Sequence, residues 1–193
     1  MSFVDIETTG LKPGFHEAVD VGMVISSLKG AYHDEFHCRI MPHHPERAGD
    51  SIRQINGFTE QRWKELGAFS KADAVQKVQS FFREVTDGKN VLFCAYNESF
   101  DYPFLRHLFR DVDEEARELF DYTLDLPSIA WGAGYYQLHG WKLTQALGVD
   151  EEPQGDDPDT DPVEHTGLTG AKKNLRIYNA LMSSHMNEMD EER

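Results

Sequence analysis

Two strand-like runs stand close together near the start of the chain and restrict it to folds built around a sheet. The runs AVDVGMVISS (18–27) and AYHDEFHCRI (31–40) are separated by a short segment containing Lys29 and Gly30, a typical hairpin signal. Residues 3–7 precede them and alternate between two faces, as a strand does. The sequence therefore predicts three antiparallel strands at the start of the chain.

The rest of the chain mixes strand and helix patterns. Residues 70–85 form the clearest helix pattern, in which Ser70 and Asp73 fit a capping box and apolar residues recur every three or four positions. The apolar run NVLFCAY (90–96) is typical of a central strand and leads into a helical pattern. The other predicted elements are short helices over 50–56 and after Thr59, a strand over 120–124, helices over 126–136 and 142–147, and a last helix with Leu168, Ala171, Leu175, Tyr178 and Leu181 on its apolar face.

This order of elements predicts a single domain of the α/β class. The 193 residues suffice for one well-packed core and are short for two. We expect a mixed central sheet, with three antiparallel strands followed by parallel ones, flanked by helices. The domain is expected to span residues 1–186, with an exposed acidic, proline-rich loop at about 150–163 and an acidic tail over 187–193.

Composition narrows the functional classes. The net charge is −15, from 34 acidic and 19 basic residues, which argues against a protein that coats DNA non-specifically. An enzyme that uses divalent metal ions escapes this objection, because the ions bring positive charge to an acidic cleft. The sequence has no run of 18 apolar residues, so we expect a soluble, cytoplasmic protein without a membrane partner. Cys38 and Cys94 lie in apolar runs without a ligand spacing and are predicted to be reduced core thiols.

Asp5 and Glu7 lie one residue apart on the first predicted strand. Their side chains project from the same face, and their repulsion is costly unless a cation lies between them. Oxygen ligands in this arrangement suit Mg²⁺ or Mn²⁺. The alternative is an edge strand whose acids face water. The residues that follow, Thr8 to Leu11, offer backbone N–H groups and a flexible turn that approaches a phosphate closely, and the apolar Leu11 is placed to wedge against a base.

The stretch FVDIETTGL (3–11) resembles the first motif of the DEDDh 3′–5′ exonucleases, a DnaQ-like group that includes the proofreading subunits of DNA polymerases. The second motif of that family, N-x-x-x-D at the start of a helix after a central strand, is matched by Asn97 and Asp101 in YNESFD. Residues 51–63 and 138–149 are also similar to family segments. The resemblance spans essentially the whole chain and implies a three-layer, ribonuclease H-like fold.

The third family motif is a histidine followed five positions later by an aspartate. His165 matches the histidine, but position 170 is Gly170, and no acid lies between Glu164 and Glu188. In the family this aspartate binds the first metal ion together with the counterparts of Asp5 and Glu7. The expected fourth carboxylate is therefore missing.

The resemblance implies phosphodiester hydrolysis with two Mg²⁺ or Mn²⁺ ions. Asp5 would bridge the ions, Glu7 would bind the first and Asp101 the second, and His165 would take the proton from the attacking water. The implied substrates are 3′ ends of single-stranded DNA or short RNA, with DNA favoured, and the products are nucleoside 5′-monophosphates. Association with a polymerase is also implied. The residues expected to contact the terminal nucleotide are Thr8, Leu11, Asn97 and Phe100.

Several alternatives stay open. Without its fourth carboxylate, the domain is either a catalytically impaired module that binds nucleic acid or a partner, or an active enzyme with a replacement ligand, or an enzyme inactivated by design. We favour replacement, by a water or by one of the acids Glu164, Asp161 and Asp159. A ribonuclease H-like endonuclease is a rival enzyme class. Taken singly, His165 is also typical of a surface residue, Phe100 of core, and Asp101 of an ordinary first-turn acid.

Overall fold

The computed structural model describes residues 1–113, 119–149 and 165–191. The predicted acidic loop at 150–163, and the three acids proposed as replacement ligands, lie outside the described residues. The strands are β1 (Ser2–Thr8), β2 (Ala18–Ser26), β3 (Tyr32–Arg39), β4 (Val91–Ala95) and β5 (Phe120–Asp125). The helices are α1 (Asp50–Asn56), α2 (Glu60–Glu65), α3 (Lys71–Val85), α4 (Glu98–Arg110), α5 (Leu126–Gly132), α6 (Gly140–Ala146) and α7 (Gly167–Glu191), with a short 3₁₀ turn at Pro45–Arg47.

The five strands form one mixed sheet in the order β3-β2-β1-β4-β5. The pairs β1–β2 and β2–β3 are antiparallel, whereas β1–β4 and β4–β5 are parallel. This confirms the predicted α/β class and the change from antiparallel to parallel pairing. The parallel pairs require crossover connections, which α3 and α4 supply.

Helices cover both faces of the sheet. On one face, Val4 and Ile6 of β1 belong to a core cluster that includes Phe82 of α3 and Phe104 of α4. On the other face, Phe3 belongs to a cluster with residues of α5, α6 and α7. All nine residues of β2 are buried, because β2 lies between two strands and under both helical layers. The alternation read from residues 3–7 therefore places Asp5 and Glu7 on the α7 side of the sheet.

Several local predictions are confirmed in detail. Ser70 caps α3 by accepting a hydrogen bond from the Asp73 N–H, and Thr59 caps α2 in the same way. Gly148, with a φ of 63°, follows the end of α6. Cys38 and Cys94 are free, buried thiols, and burial raises the pKa of each to about 12.

Two helix ends differ from the prediction. The helix predicted over 126–136 stops at Gly132, because Gly134 has a φ of 86° and the Tyr135 N–H turns back to the carbonyl of Ala130 in a Schellman motif. At the end of the chain, the backbone of α7 is helical to Glu191, within the segment that we expected to be a tail. None of the described helices is long and apolar enough to cross a membrane.

Candidate active site

The candidate site lies where the C-terminal half of β1 faces the start of α7. Asp5 and Glu7 are partly buried on this face. A Cβ atom built on Gly170 would lie 2.2 Å from an oxygen and 2.4 Å from the Cγ atom of Asp5. Position 170 therefore points at the Asp5 carboxylate, and Gly170 leaves that space to Asp5.

Asp101 reaches the same end of β1 from the first turn of α4. It is 3% exposed, and its carboxylate accepts a hydrogen bond from the Ile6 N–H at 3.0 Å. β4 pairs with β1 only as far as Phe3, so the Asp101 side chain serves as the partner of β1 beyond that point. Burial, followed by repulsion from Asp5, raises the pKa of Asp101 well above its ordinary value.

His165 lies two residues before α7 and beside Glu7. Its Nδ1 atom is 3.7 Å from the nearer Glu7 oxygen, a distance that makes an ion pair but is too long for a hydrogen bond. The His165 side chain is 65% exposed and the Glu7 side chain 13%. The neighbouring Glu7 carboxylate raises the pKa of His165, outweighing the opposite effect of burial.

The site concentrates negative charge. Burial raises the pKa of Asp5 to about 7, repulsion from Glu7 adds to the rise, and Asp20 contributes further. His165 and Lys173 act in the opposite direction and lower this pKa. Lys173 lies one helical turn beyond Gly170, and sequence reasoning missed it because the family motif ends at position 170. The site thus brings together the four residues Asp5, Glu7, Asp101 and His165 under a net negative potential.

The chemistry of these donors fits a divalent cation. Two of the carboxylates have raised pKa values because burial and repulsion disfavour their charged forms, and a cation between them relieves both costs. Their oxygens are the ligands that Mg²⁺ and Mn²⁺ prefer. In the part of the chain that the structure describes, no three His, Cys, Asp or Glu side chains are close enough together to share one metal ion.

The polar side chains at the turn after β1 form hydrogen bonds with nearby backbone groups. The Thr8 hydroxyl donates a hydrogen bond to the Gly10 carbonyl at 2.7 Å, and the Thr9 hydroxyl accepts one from the Glu17 N–H at 3.0 Å. Leu11 is different, because 71% of it is exposed. Of the residues predicted to contact the terminal nucleotide from this turn, Leu11 has a freely exposed side chain, while Thr8 is 4% exposed.

The start of α4 carries the other two predicted contact residues. Asn97 is exposed and has a left-handed φ of 67°, and its N–H donates a hydrogen bond to Asp125 at 3.1 Å. Phe100 packs against Phe104, with 5.0 Å between ring centroids, and borders the first core cluster. Sequence reasoning missed Asp125, although an acid directly before Leu-Pro is a signal for a helix start.

Sequence reasoning also missed how α7 is fastened to the sheet. Asp20 of β2 is 1% exposed and accepts a hydrogen bond from the Gly167 N–H at 2.8 Å. A Cβ atom on Gly22 would lie 1.9 Å from the backbone of Gly167, so the helix start and β2 touch through their backbones. The signal was an acid and a glycine within an otherwise apolar strand, AVDVGMVIS.

Comparisons with known proteins identify the family of this chain. The family model of the RNase T exonucleases matches residues 2–150, which include Asp5, Glu7 and Asp101 and end before His165. A curated relative, a PolC-type DNA polymerase III from Mycoplasmopsis pulmonis (strain UAB CTIP), is 27% identical over 126 residues. These residues are 65% of this chain and 8% of the length of that polymerase.

Solved structures of exonuclease I share the fold. One matches with a TM-score of 0.74 and 14% identity, over 98% of this chain and 42% of its own. Exonuclease I from E. coli in complex with a dT13 oligonucleotide gives 0.75 and 13%, over 98% and 42%. The enzyme from Methylocaldum szegediense gives 0.72 and 15%, over 94% and 40%. This chain thus spans less than half of each of these proteins. By its family model and its ribonuclease H-like fold, the chain belongs to the RNase T exonuclease family, within the DnaQ-like DEDDh group.

Proposed function

We propose that this protein is a metal-dependent 3′–5′ exonuclease that releases nucleoside 5′-monophosphates from single-stranded nucleic acid, with DNA preferred to RNA. The observation that carries this proposal is the meeting of Asp5, Glu7, Asp101 and His165 at the end of β1, in a chain of the exonuclease family. Exonuclease I, of similar fold, has been solved with a dT13 oligonucleotide, which supports a single-stranded substrate.

In the proposed reaction, His165 accepts the proton of the attacking water. Its imidazole is 65% exposed and reachable by solvent, and its Nδ1 atom lies 3.7 Å from the Glu7 carboxylate. Asp5, Glu7 and Asp101 would hold Mg²⁺ or Mn²⁺, which supplies a water of lowered pKa and neutralises charge on the phosphate and the leaving oxygen. Because His165 must be neutral to accept a proton, we expect the rate to rise with pH through its pKa.

The turn after β1 and the start of α4 receive the 3′-terminal nucleotide in this proposal. Leu11 packs against the terminal base, since 71% of it is free to do so. The Thr8–Gly10 segment approaches the sugar and phosphate through its backbone, because the Thr8 hydroxyl is already bonded to the Gly10 carbonyl. Asn97 and Phe100 border the same cleft, Phe100 mainly by supporting it from the core.

Gly170 weakens the first metal site without removing it. Asp5 occupies the space where the family places a carboxylate at this position. We therefore propose slow hydrolysis, or hydrolysis with a preference for Mn²⁺, with a water or an acid from 159–164 completing the ligand set. Buried free thiols at Cys38 and Cys94 fit a reducing compartment, which supports the cytoplasm as its location.

The test uses a 5′-labelled single-stranded oligonucleotide with Mn²⁺ or Mg²⁺, with Asp5→Ala as the control. We expect a ladder of products shortened from the 3′ end by the original protein and none by the control. Absence of metal-dependent shortening would contradict the proposal. Internal fragments in place of mononucleotides would instead identify an endonuclease, and matched DNA and RNA substrates decide the sugar preference.

A second candidate is a catalytically impaired module that binds nucleic acid or a protein partner. Gly170 favours it, together with the absence of a preformed three-ligand cluster among the described residues. The PolC-type relative suggests a polymerase as the partner. Binding of a single strand that is independent of metal and leaves the strand intact would support this candidate over the enzyme.

A further inference from the structure

We propose that Asp20 is a positioning residue, which holds the start of α7 against the sheet and thereby keeps His165 beside Glu7. This inference rests on the proposed function, because it assigns Asp20 to the same site. Asp20 lies on β2 directly opposite Glu7 of β1 in the antiparallel register, so both side chains project toward α7.

Asp20 is a buried charge whose partners come from two directions. It is 1% exposed, and both of its oxygens lie close to the His37 Nε2 atom of β3, at 2.8 and 3.0 Å. Arg39, also on β3, has its Nε atom 3.8 Å away. Burying a carboxylate to this extent is costly, and such partners are needed to offset the loss of its hydration. These contacts with β3 therefore hold the Asp20 carboxylate in place, and they leave it within hydrogen-bond distance of α7.

The third partner is the helix itself. Gly167 is the first residue of α7, and its N–H donates a hydrogen bond to Asp20 Oδ1 at 2.8 Å, across 147 residues of sequence. The first N–H groups of a helix have no acceptor within the helix, and negative charge is favourable at that end. Asp20 thus binds the end of the helix that adjoins His165, and not its middle.

Close backbone contact adds to this hydrogen bond in positioning the start of α7. A Cβ atom on Gly167 would lie 2.5 Å from both the Asp5 carbonyl oxygen and the Gly22 nitrogen. The start of α7 is therefore packed directly against the backbones of β1 and β2 at the point where the Asp20 bond is made. His165 lies two residues earlier and is 65% exposed, so its distance to Glu7 depends on where α7 begins.

Asp20→Asn tests the inference, because it keeps the shape and removes the charge that His37, Arg39 and the helix end share. Glu35→Gln is the matched control: Glu35 of β3 also contacts α7, through Lys172 at 3.0 Å, but beyond Gly170. We expect Asp20→Asn to lower the rate at saturating oligonucleotide by about 10- to 100-fold with KM nearly unchanged. The control should stay within about twofold of the original protein.

A double variant separates positioning from general stability. If Asp20 acts through His165, adding Asp20→Asn to His165→Ala should slow the reaction no further than His165→Ala alone. A merely structural effect would instead multiply with the loss caused by His165→Ala, which would overturn the inference.

Hydrogen exchange of residues 165–171 gives a readout that needs no activity. Exchange there should accelerate in Asp20→Asn and stay unchanged in Glu35→Gln, and equal exchange in both would overturn the inference. An inactive original protein would contradict the exonuclease proposal, while exchange would still decide whether Asp20 holds α7. If Asp20→Asn melts below the assay temperature, His37→Gln takes its place, because it removes the contact between Asp20 and β3. His37→Gln should give smaller changes of the same kind in rate and in hydrogen exchange.

Discussion

Gly170 decides the character of the site at the level of single residues. A side chain there would collide with Asp5, whose Cβ, Cγ and Oδ2 atoms lie 2.9, 2.4 and 2.2 Å from a Cβ built on Gly170. Asp5 has to rotate before any carboxylate fits at this position. The glycine also costs about 1 kcal/mol of helix propensity relative to alanine. The close approach of α7 to β1 gives a reason for tolerating that cost.

Gly170→Asp should restore the missing metal ligand and, at the same time, destabilise the metal-free protein. We expect tighter Mn²⁺ binding and faster hydrolysis, and a lower melting temperature in EDTA, because the new carboxylate displaces Asp5 and adds repulsion. Gly170→Ala is the matched control, since it carries the same Cβ atom without the charge. Calorimetric titration with Mn²⁺ checks this prediction, and similar affinities for the two variants would mean that the site is built around glycine.

Elements are joined in this protein by a few buried polar contacts placed between them. Lys71, at the start of α3, is 5% exposed, and its Nζ atom lies 2.5 Å from Glu17 after the β1 turn and 2.6 Å from Asp111 after α4. Glu17 also accepts hydrogen bonds from two backbone N–H groups, and it is bonded through its own backbone to Thr9. One lysine thus links three segments that surround the turn proposed to bind substrate.

Lys71→Met should destabilise the fold by about 3–5 kcal/mol, because it leaves the buried Glu17 carboxylate without its cation. Lys64→Met removes an exposed pair with Glu60 and should cost less than about 0.5 kcal/mol. Urea unfolding of the two variants measures the difference. Equal midpoints would show that the three-segment link contributes little to stability.

The sequence predicts a feature of these elements well when the residues that determine it are neighbours in the chain. The capping of α3 by Ser70 and the alternation along β1 are set by neighbouring residues, and both are confirmed. The Asp20 contact with Gly167 joins residues 147 positions apart, so no local pattern carries it. The end of α5 at Gly132 has a local cause, the left-handed turn at Gly134, but the apolar pattern continues past that glycine and suggested a longer helix.

At the scale of the whole molecule, folding shifts the pKa values of buried carboxylates in two opposite directions. Burial alone would raise the pKa of Glu17, but its hydrogen bonds from Lys71 and from backbone N–H groups lower it. The pKa values of Asp5 and Asp101 are raised, because burial and repulsion outweigh the contacts available to them. One group therefore stabilises the fold when it is charged, and the other two when they are protonated.

The sign of the pH dependence follows from linkage. The folded state binds protons at Asp5 and Asp101 more tightly than the unfolded chain does, so these groups stabilise it fully below the ordinary pKa of about 4. That contribution is lost as the pH rises toward the raised values, about 7 for Asp5. Glu17 acts at lower pH, where stability is lost as the pH falls through its lowered pKa. In EDTA, the melting temperature should decline between about pH 4 and pH 7.

Divalent metal should reverse this decline, because it replaces the protons that neutralise the carboxylates. We expect saturating Mn²⁺ to raise the melting temperature at pH 7.5 and to have a smaller effect at pH 4.5, where protons compete for Asp5 and Asp101. Asp5→Asn should flatten the profile in EDTA and reduce the metal effect. Differential scanning calorimetry at both pH values checks this, and a metal effect of equal size in the original protein and in Asp5→Asn would place the ion elsewhere in the molecule.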